Sequence, residues 1–479
     1  MRFRWLAGLA LALSALAFPA LAAPPQATID TGQLAGASNG NIRVFKNIPF
    51  AAPPVGNLRW RPPQRPASWS GVRDATAYGA ACPQPDRPDG AGGGRADRQS
   101  EDCLTLNVWA PANARNMPVM VWIHGGANRL GSGAFPVYDG SALARQGVIV
   151  VTINYRLGLL GFFDHPALAG EDGQGQAFGN YGLMDQIAAL EWVKRNIAAF
   201  GGDASNVTAF GESAGGANLI YLITSPASRG LFSKVIIESG GGTQNPQGVE
   251  ETRAAGLAAA GRIGLGPNAT AADLRAVPAE RWNEAAGGFN ALGFGPFIDG
   301  RIVVEAPWQA FESGRAMDVP MIIGANSNEA SVLATFGAGP GAVFAFAGLK
   351  MPQLRAAYGA PPLSDNEFYR QVLGDATFVA PARWVAQQTA SGAPTFLYHF
   401  SMWPRSGRET CQGQAMARKS PTYSRAGTAS PPSPPMYGPT TRPWRARSAP
   451  AGWLSQRPAF LPAPAFRPGR PMAGRTAMF

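Results

Sequence analysis

The chain has 479 residues, 46% of them hydrophobic and 15% charged, enough to bury the core of one large α/β domain or two ordinary ones. Its formal charge of +11 would indicate a nucleic-acid-binding surface only if the basic residues lay on the folded body. The excess instead lies after Ser401, where eleven arginines and Lys419 are balanced only by Glu409. Residues 1–401 therefore carry no net charge, and this excludes a nucleic-acid-binding surface on the folded body.

The first segment of the chain, residues 1–22, has the pattern of a secretory signal. Arg2 and Arg4 precede an apolar run that ends at the small-residue site Ala20, Leu21 and Ala22. We expect cleavage after Ala22 and a secreted or periplasmic protein. A membrane anchor is the alternative, although the run is shorter than the ~20 residues that a span requires. No other apolar run is as long, so no span is expected in the mature chain.

The three cysteines are Cys82, Cys103 and Cys411. In an oxidising compartment Cys82 and Cys103, which are 21 positions apart, are candidates for a disulfide that closes a small loop. Two free thiols are the alternative. Cys411 has no evident partner.

Strand and helix patterns alternate along residues 23–401, which we interpret as one domain. A helical stripe of Ile187, Leu190 and Val193 in "MDQIAALEWVKRNIAAF" is typical of a helix that packs on a core. The alternation predicts an α/β fold with a mostly parallel central sheet covered by helices. Buried parallel strands are predicted at "MPVMVWIHGG", "GVIVVTINYR", "NVTAFGES", "KVIIESGG", "VPMIIGANSNE" and "FLYHFS".

The tail, residues 402–479, differs in composition from the rest of the chain. It contains fourteen prolines and two leucines, and no valine, isoleucine or aspartate. Such a segment cannot bury enough apolar area to offset the entropy of ordering it, so we expect a disordered Pro/Arg-rich tail.

Ser213 is the candidate nucleophile. "NVTAFGESAGGANLIYLI" places it between a β-branched strand and an apolar helix, with glycines at the turn, and this context exposes a serine hydroxyl above a sheet. The segment "GASNG" has the same spacing of glycines and serine, but we interpret its Ser38 as an ordinary turn serine. Backbone N–H groups of Gly126 and Ala127, in "VWIHGGANRLGSG", and of Ala214 are the candidate oxyanion donors. A plain glycine turn is the alternative for the first two.

Several of these segments resemble the type B carboxylesterases, the family of cholinesterases and bacterial p-nitrobenzyl esterases. "FGGDASNVTAFGESAGG" and "EDCLTLNVWAP" are similar to its two signatures, and "NIPFAAPPVGNLRWRPP" and "NYRLGLLGFF" to further blocks. The resemblance extends from about Thr28 to Ser401. It implies the α/β-hydrolase fold and hydrolysis of small-molecule carboxylic esters without cofactor or metal, while the oligomeric state stays open.

The resemblance also assigns roles to further residues. Glu329 in "IIGANSNEASVL" matches the acid of the catalytic triad, although a surface glutamate at a strand end is the alternative. Cys82 and Cys103 match the family's first disulfide. Asn128 replaces the usual aromatic residue beside the oxyanion loop, so we expect a more polar acyl pocket.

The catalytic histidine of the family is missing from this chain. Members carry it beyond the strand matched by "FLYHFS", whereas this chain has no histidine after His399, and His124 and His165 match non-catalytic positions. The codons of "ETCQGQAMARKSPTYS", read two bases later, permit the family's histidine motif. We therefore hypothesise that the reading frame slipped near Ser401 or Met402, which resequencing of the locus would test; a genuine Pro/Arg-rich tail is the alternative.

The expected function is therefore carboxylic ester hydrolysis through Ser213 and an acyl-enzyme, in a chain without its base. A catalytically impaired or non-catalytic cholinesterase-like binding protein is one alternative. A misfolded product is another, because the altered tail would replace helices that should cover the sheet.

Overall fold

The computed structural model describes residues 23–86, 94, 96–169, 171, 179–242, 245–287, 294–335, 351–358 and 363–401. The expected signal segment and tail lie outside the described residues, so cleavage after Ala22 and the frame slip remain predictions. The strands are β1 (Gln26–Ile29), β2 (Gly32–Ala35), β3 (Ala37–Asn39), β4 (Ile42–Pro49), β5 (Val72–Asp74), β6 (Thr105–Pro111), β7 (Met117–Ile123), β8 (Ile149–Ile153), β9 (Gly202–Glu212), β10 (Lys234–Glu238), β11 (Met321–Asn326) and β12 (Thr395–Phe400).

The α-helices of the described residues follow the strands in alternation over most of the chain. They are α1 (Ser141–Ala144), α2 (Gly158–Gly161), α3 (Tyr181–Asn196), α4 (Ala214–Thr224), α5 (Val249–Arg262), α6 (Ala271–Ala276), α7 (Ala279–Ala285), α8 (Pro307–Glu312), α9 (Ala330–Thr335), α10 (Met351–Ala357), α11 (Asp365–Gly374) and α12 (Ala380–Gln388).

The central sheet has nine strands in the order β12-β11-β10-β9-β7-β8-β6-β4-β3. The six strands from β12 to β8 are parallel, and each coincides with one of the predicted strands. Parallel strands need crossover connections, which here carry the helices that cover the sheet. Helix α3 packs on β9, and α4 packs on β9 and β10. The predicted parallel sheet is confirmed.

The other end of the central sheet is antiparallel and was not predicted. Strands β6, β4 and β3 add to β8 by antiparallel pairing, and a separate sheet has the order β1-β2-β5. The interpretation of Ser38 as a turn residue was wrong. Ser38 lies on β3 opposite Arg43 of β4, because "GASNG" forms one arm of a short hairpin.

The prediction that "FLYHFS" is a buried strand was also wrong. Among the residues that the structure describes, strand β12 is at the edge of the sheet and pairs with β11 alone. Phe396 is 63% exposed and Leu397 is 47% exposed, although helix α12 packs beside the strand. An edge strand has a neighbour on one side only, so its side chains remain accessible even when their sequence is apolar.

Helix α3 buries the predicted stripe and also a charged pair. Ile187, Leu190 and Val193 are all buried in the main core. Asp185 of the same helix accepts hydrogen bonds of 2.7 and 2.8 Å from the guanidinium group of Arg156, with both side chains almost fully buried. The pair attaches the loop after β8 to α3, and removing either partner would leave an uncompensated charge.

The disulfide between Cys82 and Cys103 is present, as predicted, and both residues are buried. It joins the loop after β5 to the start of β6.

No helix among the described residues is long and apolar enough to cross a membrane.

Candidate active site

Ser213 lies at a sharp turn between β9 and α4. Its backbone has φ 54° and ψ −122°, a region that costs a non-glycine residue of order 1–3 kcal/mol. The turn is held from both sides, because the Ser213 N–H donates to the Glu238 carbonyl at 2.8 Å and the Ser213 carbonyl accepts from Ala217 N–H at 2.8 Å. The strand-turn-helix context predicted for Ser213 is therefore present.

The segment after β7 packs directly against this turn. A Cβ atom built on Gly125 would be 3.1 Å from Ser213 Cβ, so the two backbones are in close contact. Gly126 has φ 108°, Ala127 has φ 56° and Asn128 has φ 56°. Non-glycine residues seldom adopt a positive φ, so the backbone of Ala127 and Asn128 is held in a strained conformation beside the Ser213 turn.

The three predicted oxyanion donors lie around the same turn. Gly126 and Ala127 follow Gly125, and Ala214 is the first residue of α4. Within the described part of the chain, the N–H groups of these three residues donate no backbone hydrogen bond. These N–H groups, with the positive end of the α4 dipole, can stabilise a developing oxyanion.

Asn128 is tied to the helix that follows the candidate nucleophile. Its Oδ1 accepts from Asn218 Nδ2 at 2.8 Å, and its Nδ2 donates to Asn218 Oδ1 at 3.3 Å. Both side chains are buried. This reciprocal amide pair joins the candidate oxyanion loop to α4; whether Asn128 makes the acyl pocket more polar stays a prediction.

Glu329 lies just beyond β11 and is 2% exposed, so it is not a surface glutamate. Its Oε1 accepts hydrogen bonds from Ser239 Oγ at 2.6 Å and from the N–H of Asn326. Its Oε2 is buried and has no hydrogen-bond partner among the described residues. One carboxylate oxygen is thus held firmly while the other is available to a donor.

Ser239 and Asn326 were missed by the sequence analysis. Ser239 follows β10 as Ser213 follows β9, and it also has a positive φ, 52°. Ser239 N–H donates to the Gly324 carbonyl at 2.8 Å, which continues the parallel ladder. Both residues could have been found from their positions at the carboxyl ends of two predicted strands, because the carboxyl ends of parallel strands meet at one edge of the sheet.

Among the described residues, no hydrogen bond joins Ser213 to any of the three histidines. His124 stacks on Tyr155 with ring centres 4.4 Å apart, and its Nδ1 donates to the Gly125 carbonyl at 2.8 Å. His165 accepts from the Ala167 N–H at 3.1 Å. His399 is on β12, three strands from β9, a separation of about 14 Å at ordinary strand spacing.

Burial and acidic neighbours set the electrostatics of the site. Burial lowers the pKa of His124 to about 4, against a smaller opposite effect of its bond to Gly125. Burial raises the pKa of Tyr138, and the negative charges of Glu212 and Glu238 raise it further. Glu212 directly precedes Ser213 in the chain. No group of three metal-ligating side chains occurs in the described ranges.

Comparisons with known proteins all point to one family of esterases. Residues 23–343 match the model of the carboxylesterase family. The chain is 43% identical over 292 residues to a fumonisin B1 esterase of Sphingopyxis macrogoltabida, 60% of this chain and 54% of the relative. It is 44% identical over 314 residues to a para-nitrobenzyl esterase of Bacillus subtilis (strain 168), 63% of this chain and 62% of the relative.

A solved PNB esterase structure superimposes with a TM-score of 0.69 at 36% identity, covering 80% of this chain and 81% of the other. This likeness confirms the expected α/β-hydrolase fold. The chain spans little more than half the length of the fumonisin B1 esterase and under two thirds of the para-nitrobenzyl esterase. On the family model and these relatives together, the chain belongs to the carboxylesterase family.

Proposed function

We propose that this chain is a carboxylic ester hydrolase whose nucleophile is Ser213. The Ser213 hydroxyl would attack the ester carbonyl, and the N–H groups of Gly126, Ala127 and Ala214 would hold the oxyanion. Water would then release the acid from the acyl-enzyme. The observation that carries the proposal is the strained turn at Ser213, with three backbone N–H groups gathered beside it.

We propose further that the chain lacks its own general base. Glu329 would orient and polarise a base, but the chain contains three histidines and each is engaged elsewhere in the fold. In subtilisin, loss of the catalytic histidine costs about six decades in kcat, and the oxyanion hole retains part of the catalysis. Slow, serine-dependent chemistry is therefore expected.

Labelling by a fluorophosphonate tests the role of Ser213. On prolonged incubation the full chain should incorporate one phosphonyl group, located at Ser213 by peptide mass spectrometry, because the turn and its N–H groups stabilise the same charge that an ester develops. Ser213→Ala should abolish the labelling.

Ser38→Ala is the matched control, since Ser38 has the same glycine spacing on an exposed strand. It should be labelled like the unaltered chain. Absence of label on Ser213 would instead support the non-catalytic binding protein. Rapid hydrolysis of p-nitrophenyl acetate without an added base would refute the missing base.

We also propose that the protein is secreted or periplasmic. The N-terminal pattern and the disulfide between Cys82 and Cys103 support this location, since disulfides persist in oxidising compartments. N-terminal sequencing of the exported protein should begin at Ala23.

A further inference from the structure

A pair of buried asparagines joins the two segments that carry the candidate oxyanion donors. Asn128 follows Ala127 in the loop after β7, and Asn218 lies on α4, four residues after Ala214. Asn218 is fully buried and Asn128 is 7% exposed. Two hydrogen bonds, of 2.8 and 3.3 Å, run in opposite directions between the two amides. The pair therefore connects the donors on the loop to the donor on the helix.

The reciprocal bonds between Asn128 and Asn218 fix an orientation as well as a distance. An asparagine amide is planar and carries a donor and an acceptor, and both groups of both residues are used here. If either side chain were removed, the other would keep a buried donor and a buried acceptor without that partner, which is unfavourable. Neither amide can therefore turn away from the other without a loss of stability.

On the loop side, the pair supports a backbone that is strained. Ala127 and Asn128 both have φ 56°, and such conformations persist only where the surrounding structure holds them. Part of this support comes from the backbone, since the Asn128 carbonyl accepts from the Gly158 N–H at 2.7 Å and the Arg129 N–H donates to the Gly126 carbonyl at 3.0 Å. The bond to Asn218 adds the contact that sets the position of the loop relative to α4.

On the helix side, Asn218 lies one turn beyond Ala214. The side chain of a helical residue covers the turn that precedes its own Cα atom, so the Asn218 amide lies beside the first turn of α4. The N–H groups of this turn have no acceptor within the helix and are available to an oxyanion. Oxyanion donors are effective when they lie within about 2.7–3.1 Å of the oxygen, so a small shift between loop and helix would separate them.

We propose that Asn218 is a positioning residue of the candidate oxyanion site and that it acts through Asn128. The pair holds the N–H groups of Gly126 and Ala127 at the distance from the Ala214 N–H at which all three reach one oxygen. Asn218 itself is fully buried and does not touch the substrate. This inference rests on the proposed esterase function and adds a residue to the same site.

The rate at which a fluorophosphonate labels Ser213 in the full chain tests the proposal. At increasing reagent concentration, the plateau rate constant reports the step in which charge develops on the phosphonyl oxygen, and the half-saturating concentration reports the binding that precedes it. Asn218→Ala should lower the plateau at least roughly tenfold, less than the 10²–10³ for loss of a whole oxyanion donor. The half-saturating concentration should stay the same. An unchanged plateau would overturn the proposal.

A double-mutant cycle tests whether Asn218 acts through Asn128. Asn128→Gly removes the other amide, and glycine adopts φ 56° without strain. If the two side chains act as one unit, the variant with both changes should be labelled about as slowly as the slower single variant. Effects of the two changes that multiply would show independent roles and refute the pairing.

Asn196→Ala is the matched control. Asn196 is a buried asparagine at the end of α3, and its Oδ1 accepts from the Asp30 N–H at 2.8 Å. Its loss also breaks a hydrogen bond between distant segments, so the protein should be destabilised while the labelling constants of the folded chain stay unchanged. Circular dichroism gives the folded fraction of every variant. Slowing of the labelling by Asn196→Ala as large as by Asn218→Ala would attribute the effect to stability and contradict the proposal.

The outcome is separable from that of the proposed function. If fluorophosphonate labels Ser213 equally fast in the unaltered chain and in Asn218→Ala, the esterase proposal stands and the positioning role is wrong. If the unaltered chain is not labelled at Ser213, both are wrong.

Discussion

Glycines around Ser213 are required because the backbone segments approach one another closely. A Cβ atom on Gly215 would be 2.0 Å from the Ile123 carbonyl oxygen, and one on Gly211 would be 2.7 Å from the Gly215 backbone. Backbone atoms of neighbouring elements cannot move aside as a flexible side chain can. The glycines of "GESAGG" thus bring the turn at Ser213, the candidate nucleophile, against β7 and beside the candidate oxyanion donors.

Gly215→Ala should therefore destabilise the protein by about 3 kcal/mol, the upper range for overpacking, and abolish labelling of Ser213. Gly261→Ala is the matched control, because Gly261 also lies in a helix and nothing lies within 4 Å of a Cβ atom there. It should raise stability by about 0.5–1 kcal/mol. Urea unfolding measures the free energy of unfolding of both variants. If Gly215→Ala and Gly261→Ala changed it equally, the steric explanation would be refuted.

At the scale of elements, the sheet is well covered at its centre and exposed at β12. Ile323 of β11 is fully buried, whereas its register partner Leu397 is 47% exposed. Phe396 and Phe400 are exposed on the other side of the strand. An apolar edge strand of this kind can pair with a second chain, so β12 is the expected site of self-association.

Phe396→Lys should reduce self-association, measured by light scattering over a range of protein concentrations, because a charge on an edge strand opposes pairing. Its free energy of unfolding should change by less than about 0.5 kcal/mol, as for other exposed positions. The control Ile323→Ala removes a buried side chain of the neighbouring strand and should cost about 2–5 kcal/mol. Unchanged scattering by Phe396→Lys would exclude β12 as the contact.

At the scale of the whole molecule, the buried histidines should make a contribution to stability that is lost in mild acid. His124 is 1% exposed, and burial lowers its pKa to about 4 from an ordinary value of 6.5. Burial also lowers the pKa of His165. Between these values the unfolded chain binds a proton that the folded chain does not, so protons favour unfolding as the pH falls.

The contribution of His124 to the unfolding free energy should thus be fully present above pH 6.5 and be lost toward pH 4, and it amounts to at most about 3 kcal/mol. His124→Asn should reduce this dependence, since an amide can donate to the Gly125 carbonyl without titrating, and the part due to His165 should remain. His399→Asn, at an exposed position, is the control and should keep it. Urea unfolding at several pH values measures the dependence of stability on pH; a slope in His124→Asn as steep as in the unaltered chain would contradict the assignment.

The sequence by itself determined the parallel half of the fold and the position of Ser213, because both depend on local patterns. Short β-branched runs specify buried strands, and a glycine-serine-glycine turn between strand and helix specifies the elbow. The sequence also showed that this chain has three histidines, none of them after His399. The antiparallel strands escaped prediction for two reasons: β1, β2 and β3 have only three or four residues, and β4 and β6 mix polar with apolar residues.

Only the tertiary structure decided which side chains meet. Ser239 and Asn326 converge on Glu329 from different strands, and the exposure of β12 depends on its place at the edge of the sheet. Sequence patterns describe the neighbours along a chain, whereas hydrogen bonding of buried groups depends on strand order and register. For the same physical reason, the unpaired oxygen of Glu329 became visible only in the folded chain.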